Sequence, residues 1–256
     1  MSDALTREII LSHLRTTVFG QTLEVVDTTA STNSDLRRLA ADGAPEGTTL
    51  VAVTQTGGRG RRGRSFFSPS GGIYLSVLLR PRTVTDGGLI TSCAAVAAAR
   101  AIERLCPLQV GIKWVNDLYI NGRKVCGILA EGGLTAAGET DYIVLGFGIN
   151  VAPCEMPDEL KEIATSLGNE CAPPSREALI AALLEEWEAL YTALPCCDFL
   201  EESRRRSILL GRAVTVLRGD EQFPATVLGI TDGGHLLVRT ATDEIELASG
   251  EVSLRL

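Results

Sequence analysis

The stretch Gln55-Thr-Gly-Gly-Arg-Gly-Arg-Arg-Gly-Arg64, continued by Ser65-Phe-Phe-Ser-Pro-Ser-Gly-Gly72 and Ile73-Tyr-Leu-Ser-Val-Leu-Leu79, decides between two kinds of fold. Gly58, Gly60 and Gly63 satisfy the G-x-G-x-x-G spacing of dinucleotide-binding proteins. That motif opens a helix whose N-terminus holds a pyrophosphate, and it belongs to a parallel sheet wound with helices. Here the glycines lead instead through a loop containing Pro69 into an apolar, strand-like run, so the doubly wound reading is rejected. No Gly-Lys-Ser/Thr follows, which removes the Walker phosphate loop as well.

What the segment offers is four guanidinium groups in six residues, Arg59, Arg61, Arg62 and Arg64, with no acid between Gln55 and Gly72. The intervening glycines let backbone approach a ligand closely, and guanidinium forks match phosphate and carboxylate oxygens. The segment suits a polyphosphate, or a carboxylate beside a phosphate. Such concentrated charge repels itself, so the loop is expected to be mobile when empty and ordered by its ligand. The alternative is a solvated basic loop.

Working outward, apolar residues at 5, 9, 10 and 14 predict a helix over Asp3–Leu14, and Thr22–Asp27 predicts a strand. Ser31-Thr32-Asn33 precedes a second helix that Gly43 stops. Thr48–Thr54 and Ile73–Leu79 read as strands, and Gly88–Leu105 as a buried, Ala-rich helix. Val110–Trp114 and Asp117–Ile120 are extended, and Asn121-Gly122 is a type I′ hairpin signal. On the return strand Arg123–Glu131 the two-residue period places Lys124 in line with Cys126, Ile128 and Ala130. Tyr142–Asn150 is a further strand and Ser175–Tyr191 a helix. Beyond Arg206 come five short strand-like runs, 213–217, 222–230, 235–239, 243–247 and 252–255. They predict a small β-barrel of residues 207–256 beside a main domain of residues 1–206.

Lysine is scarce: only Lys113, Lys124 and Lys161 stand among 24 Lys and Arg, and two of the three flank that tight turn. Rigid strands keep a cation in position. Lys113, between Ile112 and Trp114, is either such a cation or the edge of a hairpin. Gly146-Phe-Gly-Ile-Asn150 ends a strand with an amide able to read an adenine-like edge.

Together and in this order, Ser31-Thr-Asn33, Gln55, Gly58 to Arg64, Lys113-Trp-Val-Asn-Asp117, Gly122-Arg-Lys-Val-Cys-Gly127 and Gly146 to Asn150 resemble the biotin protein ligase family. The resemblance implies an α+β fold of the class II synthetase kind, a mixed, mostly antiparallel sheet with flanking helices, plus a C-terminal SH3-like β domain. It implies an ATP-dependent ligase that forms biotinyl-5′-AMP with release of pyrophosphate and then biotinylates a lysine of a biotin carboxyl carrier protein or domain. Biotin and ATP are the ligands so implied, with Mg2+ accompanying ATP, although no metal ligands can be named from the sequence.

By the same resemblance, Ser31, Thr32, Asn33, Gln55, Gly58, Arg59, Arg61, Lys124 and Gly127 line the biotin site. Arg61, Arg64, Asn116, Lys124 and Asn150 serve the nucleotide. Lys124, Arg59, Arg61 and Asp117 carry the chemistry, with Lys124 at the carboxyl and α-phosphate oxygens and Asp117 orienting the incoming amine. The sequence departs from the family at Val115, where proline is common between Trp and Asn, and at Phe66, where tryptophan is frequent.

Composition bounds the rest. At 256 residues, a formal charge of −8 and pI near 5.0, the chain has no general attraction for a polyanion, which argues against an extended nucleic-acid surface. About 20 residues before the first strand do not make the winged helix of the family's DNA-binding members, so no DNA partner is expected. Lipoyl or octanoyl ligation is the nearest rival activity. His13 and His235 read as solvated or packing residues. Seven cysteines, with no C-x-x-C pair and no histidine at zinc spacing, argue against structural zinc. No basic leader or membrane-length apolar run is seen, and the expected setting is the cytoplasm, without a membrane partner. Both monomer and homodimer fit the sequence.

Overall fold

Along the chain run α1 (Arg7–His13), β1 (Leu23–Thr29), α2 (Thr32–Ala41), β2 (Thr49–Gln55), β3 (Ile73–Leu79) and α3 (Gly87–Leu105). They are followed by β4 (Gly111–Lys113), β5 (Asp117–Ile120), β6 (Arg123–Leu134), β7 (Thr140–Ile149), α4 (Leu167–Glu170), α5 (Arg176–Thr192) and α6 (Phe199–Arg206). The C-terminal strands are β8 (Ala213–Arg218), β9 (Glu221–Ile230), β10 (Leu236–Arg239), β11 (Glu244–Leu247) and β12 (Glu251–Leu254). This computed structural model describes residues 5–81, 87–135, 137–219, 221–248 and 251–254. The expected helix start at Asp3 and the end of the last strand at residue 255 lie outside them.

Seven strands form one sheet in the order β1-β2-β3-β7-β6-β5-β4. Only β1 and β2 run parallel, and every other neighbouring pair is antiparallel. This mixed, mostly antiparallel sheet excludes the doubly wound architecture. Strand β3 is buried along its whole length, as its unbroken apolar run requires of a central strand covered on both faces. One face is closed by α3 and α5, which pack on each other; alanines 94, 95, 97, 98, 99 and 101 of α3 are all fully buried. The other face is covered at one end by α2, whose Leu36 and Ala40 meet Leu78 and Val144. At the N-terminal end of α2 that face opens, and the candidate site lies there.

The hairpin turn forms as its chemistry demands. Asn121 (φ 50°) and Gly122 (φ 78°) both occupy the left-handed region, the type I′ arrangement that matches strand twist. The strand after it corrects one expectation. Leu118 pairs with Cys126 but Tyr119 pairs with Lys124, leaving Val125 as an extra residue. This β-bulge breaks the two-residue period, so Lys124 leaves the face of Cys126 and Ile128 and joins that of Gly127 and Asp117. Cys126 and Val125 are both fully buried.

The C-terminal strands form a separate five-stranded antiparallel sheet in the order β11-β10-β9-β8-β12, as expected for an SH3-like unit. It is attached by specific contacts. The Trp114 indole N–H donates to Gly234 O at 2.9 Å, Arg204 Nε donates to Ile230 O at 2.7 Å, and Ile208 N donates to Ile112 O at 3.0 Å along the β4 edge. Helix α6 has no sequence signature, because only Phe199 and Leu200 in it are apolar. Its charges anchor it: Glu202 accepts from Arg100 of α3 at 2.5 Å and from Arg206 at 2.8 Å, while Arg206 also reaches Glu103 at 2.7 Å. Burial pushes the Glu202 carboxyl up, but the donors from Arg100 and Arg206 outweigh it and hold the group below the usual carboxylate range.

Candidate active site

The open part of the sheet face carries a cleft of about 410 Å3, walled by the start of α2, the Arg-Gly loop, strands β4 to β7 and the last strand of the small domain. Glycines make the floor. A Cβ on Gly148 would stand 2.5 Å from Cε1 of Phe66, and one on Gly127 would stand 3.1 Å from both Phe66 and the Lys124 amine. One on Gly146 would collide with the Asn33 amide oxygen. The Gly-x-Gly of residues 146 to 148 is therefore needed for close approach from above.

At the α2 end lies a buried polar row. Ser31, Thr32 and Asn33 are 4%, 3% and 4% exposed, which for polar side chains requires partners. Gln55 Oε1 accepts from Thr32 N at 2.9 Å and from Thr32 Oγ1 at 3.1 Å, and Gln55 Nε2 donates to Ser68 Oγ at 3.1 Å. Ser76 Oγ touches Thr32 Oγ1 at 2.7 Å and donates to Asn33 Oδ1 at 2.6 Å. Asn33 Nδ2 donates to Glu131 Oε2 at 2.9 Å.

The Gly127–Gly148 pair lies two residues along β6 and β7 from the Leu129–Gly146 pair beneath Asn33, and the Lys124 amine approaches the floor there. The Lys124 amine is 2.7 Å from Asp117 Oδ1 and 5.9 Å from the centre of the Phe66 ring. Asp117 Oδ1 also accepts from Asn116 Nδ2 at 3.0 Å, and Asn116 Oδ1 accepts from Arg61 at 3.3 Å. Arg59 reaches Glu131 Oε2 at 3.0 Å.

The loop is closed on itself by Gly60 N to Arg64 O at 2.7 Å and Phe66 N to Gly58 O at 2.9 Å, with Arg62 (φ 56°) and Gly63 (φ 74°) turning the tip. Self-repulsion among its guanidinium groups is offset by the partners of Arg59 and Arg61.

Of the residues expected at the site, Ser31, Thr32, Asn33, Gln55, Arg59, Arg61, Arg64, Asn116, Asp117, Lys124 and Gly127 all line this cleft. Two do not. Gly58 is buried behind the wall, where a Cβ would strike Phe66 O and Ser68 Oγ at 2.5 Å. Asn150 is not among the lining residues: its amide donates to Thr165 O at 2.9 Å, and its own carbonyl accepts from Leu167 N. It fixes the segment whose Ile163, paired through its carbonyl with Lys124 N, reaches the cleft mouth.

Lys113, left open between two readings, also lines the cleft, with its amine 5.8 Å from the Tyr119 ring centre. Sequence reasoning missed Ser76, Glu131, Val252 and Ser253. A serine inside the apolar run 73–79 and a lone acid within 123–134 were local signals for the first two; nothing local marks the last two, which come from the other domain.

For magnesium the chain's own groups are a poor cage. Asp117, the only carboxylate lining the cleft among the described residues, is already engaged by Lys124 and Asn116, and no cluster of three His, Cys, Asp or Glu suited to a metal is present among them. No helix among the described residues is long and apolar enough to cross a membrane.

Residues 23–150 match the Biotin/lipoate A/B protein ligase family and residues 209–255 match the Biotin protein ligase C terminal domain. The bifunctional ligase/repressor BirA of Bacillus subtilis is 37% identical over 94% of this chain and 76% of its own length. The biotin--[acetyl-CoA-carboxylase] ligase of Mycobacterium tuberculosis is 34% identical over 90% of this chain and 88% of its own. A biotin protein ligase from Aquifex aeolicus, solved in complex with biotin and ATP, superposes with a TM-score of 0.81 at 30% identity, covering 92% of this chain and 99% of that one. A mixed sheet with an Arg-Gly loop over a glycine floor, a separate C-terminal β unit and these similarities lead to one conclusion: the chain is a ligase and belongs to the biotin protein ligase branch of the biotin/lipoate A/B protein ligase family.

Proposed function

We propose that the cleft binds biotin and ATP, joins them as biotinyl-5′-AMP, and passes the biotinyl group to a lysine of a biotin carboxyl carrier protein or domain. The observation that carries this reading is the pairing, within one cleft, of a buried neutral polar row with a cluster of cations, Lys124, Arg61 and Arg64. Biotin carries a neutral ureido group at one end and a carboxylate at the other, and the two halves of the cleft complement these ends.

In the first step a carboxylate oxygen of biotin attacks the α-phosphorus of ATP, the bond to the β-phosphate oxygen breaks, and pyrophosphate leaves with the electron pair. Two anions must meet and charge must build at phosphorus, so Lys124 and Arg61 supply the electrostatic stabilisation, with Arg64 toward the departing pyrophosphate. Asp117 holds the Lys124 amine in place through its 2.7 Å contact. In the second step the acceptor amine attacks the acyl carbon, the bond to phosphate breaks, AMP leaves, and the amine gives up a proton; Asp117 is the carboxylate at hand to orient it.

The Arg-Gly loop shields the mixed anhydride from water. With Asp117 already engaged by Lys124 and Asn116, magnesium would enter with the triphosphate. Residues 1–206 form the catalytic unit in this reading. Residues 207–256 close the cleft mouth through Val252 and Ser253.

The test is exchange of labelled pyrophosphate into ATP by the purified protein with a panel of acids. Biotin-dependent exchange is expected. Exchange with lipoate or octanoate and none with biotin would overturn the reading.

A further inference from the structure

Glu131 lies outside the cleft lining, on β6, and is the acid on which three side chains from α2 and the Arg-Gly loop converge. Its Oε2 accepts from Asn33 Nδ2 at the start of α2 at 2.9 Å and from Arg59 Nη2 in the Arg-Gly loop at 3.0 Å. Its Oε1 is 3.5 Å from Arg37 Nη1 on the next turn of α2. A carboxylate accepts only, so it fixes which end of the Asn33 amide faces it. With Nδ2 spent on Glu131 and on Leu129 O at 3.3 Å, Oδ1 must face the Ser76 hydroxyl, which donates to it.

From Ser76 the chain of contacts runs on to Thr32 Oγ1, and the Thr32 backbone N–H donates to Gln55 Oε1; Gln55 Nε2 then donates to Ser68 Oγ, which donates to Phe66 O at 2.9 Å. Both legs of the Arg-Gly loop are thus tied to one polar chain. Arg59 is held at the Glu131 end and the carbonyl of Phe66 at the other, with the polar row of the cleft between them.

We propose that Glu131 is a positioning residue that couples the ureido-reading row to the Arg-Gly loop, so that occupation of the row by biotin sets Arg59 and retains the loop over the intermediate. The proposal rests on the reading of the row as the biotin end of the cleft. Connected hydrogen bonds of this kind act as a unit, and a charged acceptor at the end of the chain is its strongest link. Arg61 and Arg64, assigned to ATP, share the loop with Arg59, but Lys124 is held on β6 by Asp117 and the row itself faces biotin, so loosening Glu131 weakens biotin binding more than ATP binding.

The experiment uses the full chain with Glu131→Gln, Arg59→Ala and the double variant. It reads the KM for biotin and for ATP in pyrophosphate exchange, the rate of biotinyl-AMP release, and the melting temperature. Glu131→Gln should raise the biotin KM and speed release of biotinyl-AMP, each by about tenfold or more, with the ATP KM within about twofold of wild type. The double variant should be no worse than Arg59→Ala alone, since the coupling is already broken.

Effects that multiply in the double variant, or a biotin KM and ATP KM that rise together, overturn the proposal. Glu131→Asp, which keeps the charge on a shorter stem, must show the same split between the two KM values, and it serves if the glutamine variant folds poorly. An active wild type matched by Glu131→Gln refutes this inference alone. A wild type without biotin-dependent exchange refutes the functional reading, and this inference with it.

Discussion

Gly148→Ala tests whether the glycine floor places the reacting groups. The added Cβ would lie 2.5 Å from Cε1 and 2.7 Å from Cζ of Phe66, against the 3.5–4.0 Å at which carbon atoms rest, so one side must retreat by about 1 Å. The floor is a strand paired on both sides, Tyr74 to Gly148 and Gly127 to Gly148, whereas Phe66 sits on a half-exposed loop. The ring therefore moves, carrying with it the surface over which the Lys124 amine is placed.

Overpacking costs about 1–3 kcal/mol where nothing can yield, a cost that the retreat of the ring largely avoids, and a displacement of about 1 Å at a reacting group lowers rates by up to about 100-fold. Biotin-dependent pyrophosphate exchange should fall about 10- to 100-fold in kcat/KM, with a melting temperature close to wild type because the strain is relieved into the loop. Adding Phe66→Leu makes room for the new methyl and should restore part of the rate. A Gly148→Ala enzyme with wild-type kcat/KM, or a loss that Phe66→Leu leaves untouched, would refute the reasoning.

Two further perturbations separate chemistry, retention and stability. Lys124→Ala should slow adenylate formation at least tenfold, about 1.4 kcal/mol or more of barrier, in single-turnover measurements, whereas Arg61→Ala should chiefly speed release of biotinyl-AMP; a near-normal value of either quantity removes that residue's assigned role. At the α3–α6 junction, Glu202 is held below the usual carboxylate range, so the stability it adds is full above its unfolded value of about 4.3 and is lost as pH falls through the lower folded value. Glu202→Gln should therefore lower stability by about 1–2 kcal/mol near neutral pH, with the gap to wild type shrinking as urea unfolding is repeated from about pH 6 to pH 3. A gap independent of pH would contradict the ion pairing described here.

Much of the site was legible because its signals are local. Arginines spaced by glycines ahead of a strand, a polar triplet opening a helix, and a lysine beside a tight turn each depend on neighbours within a few residues. Asn150 shows the limit of such signals: it stands at a strand end as read from the sequence, but its amide donates to Thr165 O in a segment that only the folded chain brings alongside.

By itself the sequence determined which segments extend, coil or turn, apart from the short helices α4 and α6. Asn121-Gly122 tolerates left-handed backbone, the apolar run of β3 has to be buried on both faces, and the Arg-Gly stretch cannot begin a helix that leads into a strand. The tertiary structure alone decided the facing of Lys124, through one unpaired residue at Val125, and the joining of Asn33 to Arg59 through Glu131 across 98 and 72 residues of chain. It also decided the arrival of Val252 and Ser253 at the cleft. The division has a physical cause. Backbone propensity and turn chemistry act over a few residues, whereas register, bulges and buried hydrogen-bond partners are fixed only when distant strands pair and polar groups must find partners away from water.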